Sequence, residues 1–378
     1  MTPIVAAEVF EIEVPFATPY GLAKAYGTLT STRAVLLQLV DADGMVGWGE
    51  ANPLVPFTSE SPGEAAAILR DVLLPIVFRE SSPEPGRVDA LLDAQQVGHL
   101  CAKGAVSMAL LDLLGKRLRV PVATLLGGAV RSELPVLWPL GTGSATDDVR
   151  VIEEKAAQGF SSFMLKMGAA PVRDEIARAV ALHARYGDRL KLIADANQGW
   201  TREEAHEFLA GVRDSNLAFL EQPVAKSDLE GMALLAKASA LPISADESLT
   251  GPAEAARIAK LEAASIFSIK SSKNGGPLRA QRIATLAQAF GIRCYMNSML
   301  EFGITQAASL QHAVTVTNLI DVGHAFMSTL RLSADPTNFS SYVRDGVVRL
   351  PSGPGLGIEV DVDHVRRLTT AHFKVTAR

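Results

Sequence analysis

From about residue 131 to 330 the chain keeps a beat. Short β-like runs end near Leu140, Lys166, Asp195, Glu221, Asp246, Lys270, Asn297 and Asp321, spaced 24 to 29 residues apart. Each interval holds a segment of helical period, such as Val172 to Tyr186, Arg202 to Val212 and Pro277 to Phe290. Parallel strands need crossovers of a dozen residues or more, and a helix supplies them, so this spacing predicts an α/β fold with a parallel β/α barrel. An open doubly wound sheet is the rival. Against it, no G-x-G-x-x-G follows the first strand, and Gly141-Thr-Gly143 is only half of such a loop.

Residues 1–130 follow a different pattern. Ile4 to Val14 and Ala34 to Val40 alternate and are rich in β-branched residues, and Asp41-Ala-Asp-Gly44 reads as a hairpin turn. A helical run from Pro62-Gly63 to Leu74, a linker at Ser81 to Gly86 and a long apolar-periodic stretch from Val88 to Leu118 follow. Strands followed by helices predict a small α+β unit that ends at Leu125-Leu-Gly-Gly128. Residues 331–378 drop the beat and are expected to return to this first unit.

With 36 basic against 41 acidic side chains the net charge is −5, which gives no reason to expect nucleic acid or an anionic membrane as partner. Glu8, Glu11 and Glu13 stand where a signal peptide needs an apolar run. The longest uncharged stretch, Phe302 to Ile320, is too rich in Gln, Thr, Ser and Asn to span a membrane. Cys101 and Cys294 cannot make a disulfide framework and read as small buried hydrophobes. The expected compartment is the cytoplasm.

In a β/α barrel the C-terminal strand ends share one mouth, where catalytic groups collect. Five successive runs here end in ionisable residues: Lys166, Asp195, Glu221, Asp246 and Lys270. Each carboxylate alone could cap the helix that follows its strand. Three at matched positions would repel strongly, and a hard divalent cation such as Mg²⁺ resolves the repulsion with oxygen ligands. No His or Cys lies at zinc spacing. Lysines on the second and sixth strands would face each other across the mouth, an arrangement suited to taking a proton from carbon beside a carboxylate.

At these residues the chain resembles the enolase superfamily, and within it the muconate lactonizing enzyme subgroup of the mandelate racemase-like proteins. The resemblance covers essentially the whole length. It rests on Gly47-Trp-Gly-Glu50, Leu125-Leu-Gly-Gly128, Asp195-Ala-Asn-Gln-Gly-Trp200 and Glu221-Gln-Pro223, then Ala245-Asp-Glu-Ser248, Lys270-Ser-Ser-Lys-Asn-Gly-Gly276 and Met299-Leu-Glu301. It implies a (β/α)7β modified TIM barrel under an α+β capping domain formed by 1–130 and 331–378. It also implies Asp195, Glu221 and Asp246 as Mg²⁺ ligands and Lys166 and Lys270 as the acid/base pair, chemistry that general accounts of enolase-type sites also describe. Relatives are commonly oligomers, so a homo-oligomer is expected. Glu301 is expected at the substrate, with Lys273, Asn197, Asn297, Ser298 and Asp321, and with Tyr20 and Tyr26 from the cap loops.

Two departures bear on function. The family usually carries Lys-x-Lys at the end of the second strand, where this chain has Met164-Leu-Lys166. Without the first lysine, Lys166 should be a weaker base, or substrate charge is met differently. Dipeptide epimerases end the eighth strand with Asp-x-Asp, whereas this chain has Asp321-Val-Gly-His324, which makes a dipeptide substrate doubtful. The expected activity is a Mg²⁺-dependent isomerase of a small carboxylate through an enediolate, either a racemase or epimerase or a muconate-type cycloisomerase. A dehydratase using His324 or Lys270 as general acid is the alternative. A non-catalytic carboxylate-binding relative is a third reading.

Overall fold

The computed structural model describes residues 1–377. Strands β1 (Ile4–Gly21), β2 (Thr28–Asp41) and β3 (Val46–Ala51) form an antiparallel sheet. Asp41 builds the turn between β2 and β3: its Oδ1 accepts from the Asp43 and Met45 amides at 3.0 and 2.9 Å, and Gly44 supplies a φ of 80°. On one face of the sheet Val9, Val35, Leu37 and Leu39 share a core with helices α1 (Pro62–Ile68), α2 (Leu74–Phe78), α3 (Pro85–Gln95) and α4 (Leu100–Leu118). The long apolar stretch from Val88 therefore splits in two. Gly98 and His99 take positive φ values of 74° and 52°, which no helix continues through.

Gly47-Trp-Gly-Glu50 alternates along β3 for a packing reason. A Cβ on Gly47 would lie 2.3 Å from the Ala109 carbonyl oxygen, and one on Gly49 would lie 1.9 Å from that of Ala105. Helix α4 thus rests directly on the strand backbone, and only glycine fits beneath it. Trp48 and Glu50 point the other way, as strand periodicity requires, and Trp48 joins the core shared with the barrel.

The chain passes through α5 (Val122–Leu125) and β4 (Glu133–Pro135) into the barrel. Seven parallel strands follow in spatial order: β5 (Leu137–Leu140), β6 (Ser162–Lys166), β7 (Lys191–Asp195), β8 (Leu217–Glu221), β9 (Ile243–Ala245), β10 (Ile266–Ile269) and β11 (Arg293–Met296). Behind them come α6 (Ala145–Ala156), α7 (Val172–Tyr186), α8 (Arg202–Gly211), α9 (Leu229–Ala238), α10 (Pro252–Lys260), α11 (Pro277–Ala289) and α12 (Gly303–Ala313). Residues 319–324 fill the eighth place, with Leu319 bridged to Cys294 of β11 and His324 bridged to Val136 beside β5. The ring closes as (β/α)7β, a barrel as the spacing predicts and of the form the resemblance implies.

The C-terminal segment divides instead of returning whole to the first unit. β12 (Val343–Arg344) and β13 (Val347–Arg349) form a small sheet with β4, while α13 (Val362–Leu368) leads into β14 (Thr369–Thr376), which pairs with β1. Among the described residues no helix is long and apolar enough to cross a membrane. Cys101 and Cys294 are both free and buried.

Glu50 pins the cap to the barrel. Fully buried, it accepts from the Phe302 and Thr305 amides at 2.8 Å each, satisfying donors at the start of α12 that no helix can satisfy itself. Burial pushes its carboxyl up to about 8, although those two amides pull the other way. A raised carboxyl pKa favours the fold fully below the unfolded value, and that contribution is lost as pH rises toward 8. Stability of the wild type should therefore fall relative to Glu50→Gln by about 1 kcal/mol per pH unit between roughly pH 5 and 8. Urea denaturation of both proteins across that range checks it, and parallel curves would contradict it.

Candidate active site

The parallel register assembles the polar strand ends. Lys166 pairs with Asp195, and Asp195 with Glu221, at the ends of β6, β7 and β8. Glu221 is level with Ser244, so Asp246, one residue beyond β9, lies on the same face as Ser244 two residues earlier. Lys270 and Asn297 likewise come one residue past β10 and β11. Asp195, Glu221 and Asp246 are 0% exposed.

Each acid is held differently. Asp195 Oδ2 accepts from Lys166 Nζ, and its Oδ1 accepts from the Asn197 amide at 2.9 Å, which accounts for the Asp-Ala-Asn turn and the φ of 44° at Asn197. Asp246 Oδ2 accepts from Lys270 Nζ at 2.7 Å and its Oδ1 from Lys273 Nζ at 2.8 Å. Glu221 Oε1 accepts from Asn297 Nδ2 at 2.7 Å and Ser268 Oγ at 2.9 Å, while its Oε2 is buried without a partner. Asn197 Nδ2 and the Tyr26 hydroxyl both donate to Glu247 Oε1 at 3.2 Å.

Electrostatics follow from this crowding. Burial, then the charges of Asp195 and Asp246, hold the Glu221 carboxyl well above the usual range. Glu247 is pushed up to about 8 by burial and by the same two neighbours. Burial would raise Asp246 as well, but Lys270 and Lys273 outweigh it and hold that carboxyl down. Burial alone would lower the Lys166 amine, yet Asp195, Tyr20 and Glu221 more than offset this and raise it. Lys270 is also raised, with Asp246 the main opponent of burial, whereas burial leaves Lys273 lowered.

A pocket enclosing ≈ 520 Å³, part of it open to solvent, lies over these groups. Lys166 and Lys270 line it together with Asn197, Asn297, Ser298, Tyr20 and Tyr26, so these expected site residues are brought together. Asp195, Glu221 and Asp246 are buried and do not line it, and three of the expected substrate contacts are not at its wall either. Asp321 is exposed, because the eighth strand continues past it and Ala325, whose amide donates to Met296 O, stands at the mouth. Glu301 is engaged by its own loop, accepting from Ser298 Oγ, from the Met299 amide at 2.6 Å and from Gln306 Nε2 at 3.0 Å. Lys273 spends its amine on the carbonyl and carboxylate of Asp246. His324 is buried, its Nδ1 accepts from the Met296 amide at 3.1 Å, and burial lowers its pKa to about 3. That imidazole is no proton donor at neutral pH.

Two site residues escape a reading of charges alone. Gln222, at φ 33°, accepts through Oε1 from the Asp246 and Ser248 amides at 3.0 and 3.2 Å and so fixes the loop that carries Asp246. The Glu221-Gln-Pro223 motif was the available signal. Phe57, from the cap, lays its ring 4.1 Å from Lys270 Nζ, within reach of a cation–π contact.

Comparison with known proteins agrees with this geometry. Residues 5–127 match the mandelate racemase / muconate lactonizing enzyme N-terminal domain, and residues 147–365 match the enolase C-terminal domain-like family. Muconate cycloisomerase 1 of Acinetobacter baylyi is 31% identical over 96% of this chain and 98% of its own length. The L-Ala-D/L-Glu epimerase of Bacillus subtilis is 31% identical over 94% of this chain and 96% of its own. The crystal structure of N-succinyl Arg/Lys racemase from Bacillus cereus superposes with a TM-score of 0.93 at 28% identity, covering 99% of this chain and 100% of that one. The chain belongs to the mandelate racemase/muconate lactonizing enzyme family of the enolase superfamily.

Proposed function

We propose that this isomerase is a racemase or epimerase of a small carboxylate, moving the proton on the carbon beside the carboxylate from one face to the other. One observation carries the choice: Lys166 and Lys270 line the same pocket from the second and sixth strands of an eight-place ring, and so from opposite sides. A 1,1-proton transfer needs one amine on each face; ring closure of a diacid needs only one. Loss of β-hydroxide would call for a further acid, and His324 is held neutral by burial, its Nδ1 tied to the Met296 amide, and does not line the pocket.

The family uses a divalent metal, and we propose Mg²⁺, held by Asp195, Glu221 and Asp246. As the side chains stand, no three acidic, imidazole or thiol groups among the described residues converge on one point, because lysine amines lie against two of the acids. The donors nevertheless fit a hard cation. All three are carboxylates, all are fully buried, and Glu221 Oε2 has no partner. When bound, such an ion stabilises the charge that develops on the substrate carboxylate. The protein's own part is to place the Lys166 and Lys270 amines on opposite sides of one carbon and to keep water away with the cap.

Two measurements test this. In D₂O the recovered substrate should carry deuterium at the reacting carbon in both configurations; deuterium confined to one configuration supports a single working lysine and contradicts the proposal. Chelation with EDTA should abolish turnover, Mg²⁺ should restore it, and Glu221→Gln should need a higher Mg²⁺ concentration for half-maximal rate. Full activity after chelation counts against the metal.

A further inference from the structure

The pocket wall is short of charge. Of the residues that line it, only Lys166 and Lys270 carry a basic side chain and none is an acid, and the proposed proton transfer uses both amines. The rest of the wall is mostly apolar. Leu22, Leu54 and Phe57 come from the cap, and Met164, Met299 and Met327 from the barrel. Met164 is the informative one. It lies two residues before Lys166 on β6, hence on the same face, and is 2% exposed, so it puts an uncharged thioether in the wall next to the Lys166 amine. Met327 is 3% exposed and follows the eighth strand, where Ala325 also reaches the wall and neither residue offers an acid.

Charges nearby are screened from the cavity. Glu301 is committed to Ser298, Met299 and Gln306, and Asp321 lies outside. The guanidinium of Arg331 stacks 3.8 Å over the Tyr20 ring and does not line this pocket. A second carboxylate or an ammonium on the substrate would be desolvated here without a partner, which is costly in an apolar wall.

Resting on the racemase or epimerase reading, we propose that the substrate carries no charge beyond its reacting carboxylate and is otherwise largely apolar. Met164 and Met327 are the side chains that turn away a second anion and a cation. Exclusion by an unpaired buried charge should favour neutral substrates by about 10²-fold or more in kcat/KM.

The probes are N-acetyl-leucine, N-acetylglutamate and N-acetyl-lysine, which share a reacting carboxylate and differ in the charge at the far end. Each is offered to the full-length protein with Mg²⁺, and both binding by calorimetry and deuterium uptake by mass spectrometry are followed. The leucine derivative should bind and exchange at least about 10²-fold better than either charged probe. Met164→Lys should raise binding of N-acetylglutamate, and Met327→Asp that of N-acetyl-lysine, while Met164→Leu keeps the wild-type order and controls for packing. Equal or stronger binding of a charged probe by the wild type overturns the selectivity proposal and leaves the proton-transfer reading standing. Selective binding of the leucine derivative without exchange does the reverse. If no probe binds or exchanges, both fall.

Discussion

Lys270→Met should lower racemisation by about 10³-fold, the usual scale of a lost general acid or base. The loss should be uneven in one respect. The isomer whose proton faces Lys166 should still exchange that proton with D₂O, because its base is intact. The opposite isomer should neither exchange nor convert. The side chain removed is 4% exposed, yet Asp246 keeps Lys273 at 2.8 Å, so the variant does not strand a buried carboxylate. Nuclear magnetic resonance of each pure isomer in D₂O separates the two half-reactions. Equal residual exchange of both isomers would show that Lys270 does not own a face of the substrate.

Gly49→Ala should cost about 3 kcal/mol or more, an unusually large penalty for one methyl group. The added carbon would stand 1.9 Å from the Ala105 carbonyl oxygen and 2.7 Å from its carbonyl carbon, both backbone atoms in the middle of α4. No side chain can swing aside to make room, so strand or helix must shift. The shift would pass along β3 to Glu50, the next residue. Thermal and denaturant unfolding of purified protein measure the loss, and a change under 1 kcal/mol would mean that α4 lifts off the strand easily. Gly63→Ala is the control, since a Cβ there meets nothing within 4 Å.

Most of the barrel and its chemistry could be read from the chain because two independent periodicities coincide. Strand spacing set the architecture, and acids at the ends of apolar runs set the mouth. Lys166, Asp195 and Glu221 end their strands, and Asp246, Lys270 and Asn297 miss by a single residue. Asp321 was misplaced for a physical reason. The eighth strand is held by isolated bridges at Leu319 and His324, and its continuation through Gly323 to Met327 has none of the β-branched density that marks a strand. Glu301 and Lys273 share another cause. A sequence shows that a charged residue is near a site, but which partner consumes its hydrogen bonds is decided by tertiary contacts such as Gln306 Nε2 and the Asp246 carbonyl. The cap loops were legible only as candidates, because an aromatic such as Phe57 packs equally well against a domain or a ligand until its neighbour, here Lys270, is known.

The clasp made by Glu50 ties assembly of the two halves to recognition. The helix it caps begins just after Ser298, Met299 and Leu300, which form part of the wall around the ligand. A weakened seam would loosen that wall first, so damage far from the reacting carbon should register as poorer grip on substrate before the chain as a whole gives way.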